Sequence, residues 1–77
     1  MPQPTLAQIG AAIRSLRERR GLTIEALAGN ADLHTVSVSR IEAGTQNLTW
    51  EALTNLADAL EVEAVDLVRL ASDPRHS

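Results

Sequence analysis

The 77-residue sequence has no cysteine, phenylalanine or tyrosine, and all seven of its basic residues are arginine. Without thiols there is no disulfide framework, no thiolate metal site and no cysteine nucleophile. His34 and His76 are the only histidines, too few without cysteine to make a metal site the expectation. Trp50 is the single aromatic residue, and the apolar content is carried mostly by 12 alanines and 11 leucines. Both are good helix formers, whereas sheets favour β-branched and aromatic residues, so the composition predicts an all-α protein. No apolar run approaches the length needed to cross a bilayer. Met1-Pro2-Gln3-Pro4 carries no basic residue followed by an apolar stretch, so no secretory signal is expected and a cytoplasmic address is the default. There is no glycine-rich phosphate loop and no grouping of Ser, His and carboxylate that suggests a triad. A substrate cleft would consume most of so small a core. Neither an enzyme nor a bound cofactor is expected.

What is present fits one domain spanning residues 1–77, with a core over about 5–70 and frayed ends. A chain of this size buries only about 60% of the surface that its unfolded form exposes. The net charge is −3, but it is unevenly spread. Residues 1–48 hold five Arg against four acids, and residues 49–77 hold two Arg against six acids. The asymmetry suggests that only the first part meets a polyanion.

Caps, breakers and apolar spacing predict five helices. Thr5 caps the first, which carries the stripe Leu6, Ile9, Ile13 and Leu16 and stops at Gly21. Thr23 caps a short second helix ending near Ala31, with Leu27 and Ala28 inward. Asp32-Leu33 is a tight connection. A third helix starts at about His34 or Thr35, turns Val38 and Ile41 inward and stops at Gly44. After the loop Thr45-Gln46-Asn47-Leu48, Thr49 caps a fourth helix with Trp50, Leu53, Leu56, Ala57 and Leu60 at helical spacing. Trp50 is expected to plug the core there. A weaker fifth helix covers about Ala64–Leu70, and Asp73–Ser77 should fray.

The second and third helices, joined by Asp32–His34, have the lengths of a helix-turn-helix, whose second helix enters the DNA major groove. If Val38 and Ile41 face the core, Thr35, Val36, Ser39 and Arg40 lie on the outer arc, with Ser37 at its margin. Arg reads guanine through O6 and N7, Thr and Val methyls suit the thymine methyl, and Ser donates or accepts.

The run Thr23-Ile24-Glu25-Ala26-Leu27-Ala28, then Leu33, then Val38-Ser39-Arg40-Ile41-Glu42-x-Gly44 resembles the lambda-repressor/Cro-like family, also called the xenobiotic-response-element family. Leu16–Leu22 resembles that family's first helix, and Leu53-x-x-Leu56-Ala57-x-Ala59-Leu60-x-Val62 its fourth. Within the family, Gln46-Asn47-Leu48-Thr49, Leu60-Glu61-Val62 and the length look most like restriction–modification controller proteins. The resemblance implies a five-helix lambda-repressor-like fold and a sequence-specific prokaryotic transcriptional regulator that binds a palindromic operator on double-stranded DNA as a homodimer. It implies base contacts by Thr35, Val36, Ser37, Ser39 and Arg40. It also implies a structural ion pair between Arg17 and Glu42. Thr23, His34, Thr45, Gln46 and Asn47 are candidates for phosphate contact, the role that positions rather than specifies. Trp50, Leu56, Val65 and Val68 are candidates for the two-fold interface, and RNA polymerase is a further candidate partner. The chain departs from the family pattern at three places: Ile24 where Gln is usual, Asp32 where the turn Gly is usual, and a neutral loop at Thr45–Asn47 where Lys or Arg is common. The last predicts a shallow salt dependence. The competing class is a protein-interaction module, such as an antitoxin or a polymerase-bridging partner, motivated by the negative net charge. Binding to random duplex in low salt separates the two.

Overall fold

The computed structural model describes residues 3–73. Five helices follow one another: α1 Leu6–Arg19, α2 Ile24–Ala31, α3 Thr35–Ala43, α4 Trp50–Ala59 and α5 Ala64–Ser72. No strand occurs among the described residues. The fraying expected for Asp73–Ser77 falls, beyond Asp73, outside them.

Helix starts and stops are set by local chemistry. The hydroxyls of Thr5, Thr23 and Thr49 accept the N–H groups of Gln8, Ala26 and Ala52, each capping one helix. Such a cap contributes about 1 kcal/mol. Gln8 also reaches back to the Thr5 N–H at 2.7 Å, completing a capping box. The exits of the first four helices share one design. Leu22, Leu33, Thr45 and Val62 donate their N–H groups to the carbonyls of Arg17, Ala28, Arg40 and Ala57, five residues earlier. The residue before each donor is left-handed: Gly21, Asp32, Gly44 and Glu61. This is the Schellman closure. Asp32 adopts φ 57° and ψ 44°, the conformation that the turn glycine of the family would supply, which a short polar side chain tolerates. The sequence offered no sign of the left-handed Glu61.

The core is aliphatic and drawn from all five helices. Ile13, Leu27, Val38, Leu56, Leu60 and Leu67 are its largest fully buried side chains. Against this core α1 packs on α3 and α5, α2 packs on α3 and α4, and α4 packs on α5. Trp50 corrects the expectation of a core plug: it is 71% exposed. It is the first residue of α4 and has no preceding turn to lie on, so its neighbours along the stripe fill the core without it. Leu6, likewise first in its helix, is also exposed. α5 runs two residues beyond the expected end, where the Ser72 hydroxyl donates to the Val68 carbonyl and Ala71 is buried.

Candidate nucleic-acid interface

The orientation of α3 decides what the surface offers. Val38 and Ile41 are sunk in the core, 0% and 3% exposed, and fix the helix by its inner side. Thr35, Val36, Ser39 and Arg40 are thereby turned to solvent on one face, and Ser37 is half-buried at its margin. Val36 is 58% exposed, a branched apolar side chain left largely open to solvent. His34 occupies the N-cap of α3 but makes no side-chain capping bond. The first-turn N–H groups therefore point outward without a side-chain acceptor. Arg14, Arg17, Arg20 and Arg69 are engaged with Glu18, Glu42, Glu61 and Asp66, whereas Arg40 forms no ion pair among the described residues.

The remaining sequence-level candidates lie around this face rather than on it. The Thr23 hydroxyl is exposed at the start of α2 and already accepts from Ala26. After α3, the Thr45 hydroxyl donates back to the Arg40 carbonyl at 3.3 Å. Gln46 is half-buried, and Asn47 is exposed.

Arg17 and Glu42 join α1 to α3. Arg17 Nε donates to Glu42 Oε2 at 2.7 Å, and the second nitrogen of the fork, Nη2, donates to Oε1 at 3.1 Å. Nη1 donates to the Leu22 carbonyl at 2.9 Å, tying in the connection before α2. The two side chains are only 12% and 6% exposed. The Glu42 hydrogen bonds raise the Arg17 pKa above its already high ordinary value, outweighing the opposite effect of burial. Beside this pair a groove of about 290 Å³ opens between α1, α2 and α3, lined by Arg14, Arg17, Ile24, Ser39, Glu42 and Ala43.

Sequence reasoning passed over two contributors. Gly10 stands mid-helix, where a helix former would be expected, because α1 crosses the backbone of α3 at that point. Its position inside a helical stripe was the available signal. The Leu22 carbonyl, the third partner of Arg17, left no trace in side-chain identities.

The candidates for the two-fold interface separate. Trp50 and Val65 are exposed, at 71% and 56%, and Val68 is half-buried against the core. Leu56 does not belong with them. It is 0% exposed within its own chain, because the stripe position it occupies points at the bundle centre.

Known proteins share this arrangement. A family model described as a helix-turn-helix domain matches residues 8–70. The control protein C.BamHI of Bacillus amyloliquefaciens is 33% identical over 60 residues, which is 77% of this chain and 74% of that protein. The clp gene regulator ClgR of Corynebacterium glutamicum superposes with a TM-score of 0.84 at 30% identity, covering 92% of each chain. The restriction–modification controller protein C.Esp1396I, solved as a tetramer in complex with its natural 35 base-pair operator, superposes with a TM-score of 0.79 at 30% identity, covering 86% of this chain and 87% of that one. With four-fifths of its residues matched by the family model and its second and third helices set at the required turn, the chain belongs to the helix-turn-helix domain family.

Proposed function

We propose that the chain is a sequence-specific DNA-binding transcriptional regulator of the restriction–modification controller type, and that it binds a palindromic operator as a homodimer. The observation that carries this reading is the outward face of α3, where Thr35, Val36, Ser39 and an Arg40 without an ion pair among the described residues stand side by side on a helix anchored from behind. Those side chains supply one guanidinium for guanine edges, hydroxyls for either donors or acceptors, and methyls for thymine. The open N-terminus of α3, with Thr23 and His34, serves the phosphates. Likeness to controller proteins, one of them held on its operator, supports the same reading.

Two recognition helices of a dimer reach successive major grooves when the half-sites lie one helical turn apart. The exposed Trp50 and Val65, and the half-buried Val68 one turn along α5 from Val65, are proposed to join the two copies. A bound dimer regulates by blocking polymerase or by presenting a surface to it. This role places the protein in the cytoplasm, and no helix among the described residues is long and apolar enough to cross a membrane.

Selection of bound duplexes from a random pool, with the mass of the protein measured in the same buffer, tests the proposal. A palindromic consensus bound by a species of twice the chain mass is expected. Failure to bind any duplex in low salt would overturn it and favour a protein-binding module built on the same bundle.

A further inference from the structure

We propose that Arg14 is a further DNA-contacting residue, whose guanidinium takes a backbone phosphate at the mouth of the groove between α1 and α3, and that Glu18 competes with that phosphate for it. The inference rests on the reading of the chain as a DNA-binding protein. Three observations carry it. Arg14 lines the same groove as Ser39, so a duplex read by α3 brings its backbone past α1 at this point. The groove's other charges cancel, because Glu42 gives both carboxylate oxygens to Arg17. Arg14 is therefore the cation left to face an anion there. Its own partner holds it weakly: the single contact to Glu18 is 3.5 Å long, between side chains 63% and 56% exposed.

The neighbouring surface makes this cation matter. The loop after α3, Thr45-Gln46-Asn47, carries no charge, so beside this groove the reading face offers Arg40 as its other cation, without an ion pair among the described residues. An exposed pair four residues apart on a helix is worth little in water, and a phosphate offers a guanidinium two oxygens in place of one distant carboxylate. DNA binding then exchanges one partner for another on Arg14 and frees Glu18 to solvent.

The test compares the wild type, Arg14→Gln, Glu18→Gln and the double variant on the selected operator and on unrelated duplex, over a series of salt concentrations. Arg14→Gln is expected to weaken binding about tenfold on both duplexes and to flatten the dependence of log affinity on log salt by about 0.9. Glu18→Gln is expected to tighten binding about twofold in the wild-type background and by less when Arg14 is already Gln. Thermal melts of all four proteins should coincide, because both side chains are exposed. Arg69→Gln on α5, also ion-paired on the surface, serves as the control and should leave the salt slope unchanged. An unaltered slope for Arg14→Gln, or an equal effect of Glu18→Gln in both backgrounds, overturns the inference while leaving operator binding intact. Loss of all binding by the wild type would instead overturn the functional reading.

Discussion

Gly10 on α1 faces the Ile41 carbonyl of α3 so closely that a β-carbon at position 10 would lie 2.3 Å from that oxygen and 2.6 Å from the Glu42 carbonyl oxygen. Both obstacles are backbone, and neither can rotate away. The reading helix is thus seated on α1 through its main chain. Gly44, at φ +75°, repeats the contact one turn on, since a β-carbon there would meet the Ala7 Cα at 2.7 Å.

Gly10→Ala is therefore expected to destabilise the fold by about 2 kcal/mol, although alanine is the better helix former by about 1 kcal/mol. Urea unfolding followed by circular dichroism measures it. A gain in stability would show that α1 and α3 can separate without cost.

Arg17→Lys should lose both the fork to Glu42 and the Leu22 contact, because a single ammonium cannot reproduce three donors in one plane. A loss of about 1–2 kcal/mol is expected, and Glu42→Ala, which strands a nearly buried guanidinium, should cost about 3 kcal/mol. The raised pKa of Arg17 fixes the sign of its own pH dependence. Its contribution is fully present below the ordinary arginine value and declines only as pH rises beyond it, so deprotonation of Arg17 does not alter stability between about pH 6 and pH 9. Equilibrium unfolding across that window checks this, after protonation of other groups has been accounted for by the same measurement on Arg17→Lys.

Arg40→Ala should weaken operator binding by about 1–3 kcal/mol, with the loss concentrated at one base position. Titration against a panel of singly substituted operators distinguishes that pattern from the uniform loss expected for a phosphate contact. Unchanged affinity would remove Arg40 from the reading face.

Trp50→Ala should leave the monomer's unfolding free energy within about 0.5 kcal/mol, since the indole contributes little to the core. If Trp50 joins two copies, the same change weakens self-association at least about tenfold, as sedimentation equilibrium would report. In the wild type the sole indole should then shift its emission to shorter wavelength as concentration rises.

Much of the fold is legible in the sequence because its punctuation is local. Thr5, Thr23 and Thr49 announce helix starts, and Gly21 and Gly44 announce stops, through bonds that span only three to five residues. The outward turn of Thr35, Val36, Ser39 and Arg40 follows from Val38 and Ile41 by helical spacing alone. What depends on neighbours distant in sequence was not readable in the same way. Trp50 fits an apolar stripe yet lies beyond the core's edge, and Leu56 fits an interface yet lies at the centre. Glu61 is left-handed without being glycine, and its carboxylate pairs with Arg20 across the chain, a contact that no spacing rule encodes.

The seating of α3 through main-chain oxygens has an evolutionary corollary. Carbonyls are common to every amino acid, and the residues that meet Gly10 belong to the second half of the helix. Exchanges at positions 35, 36, 39 and 40 therefore leave the mount untouched. If those outward side chains read the operator as proposed, such a molecule acquires a new target sequence by swapping a few of them while its scaffold stays the same.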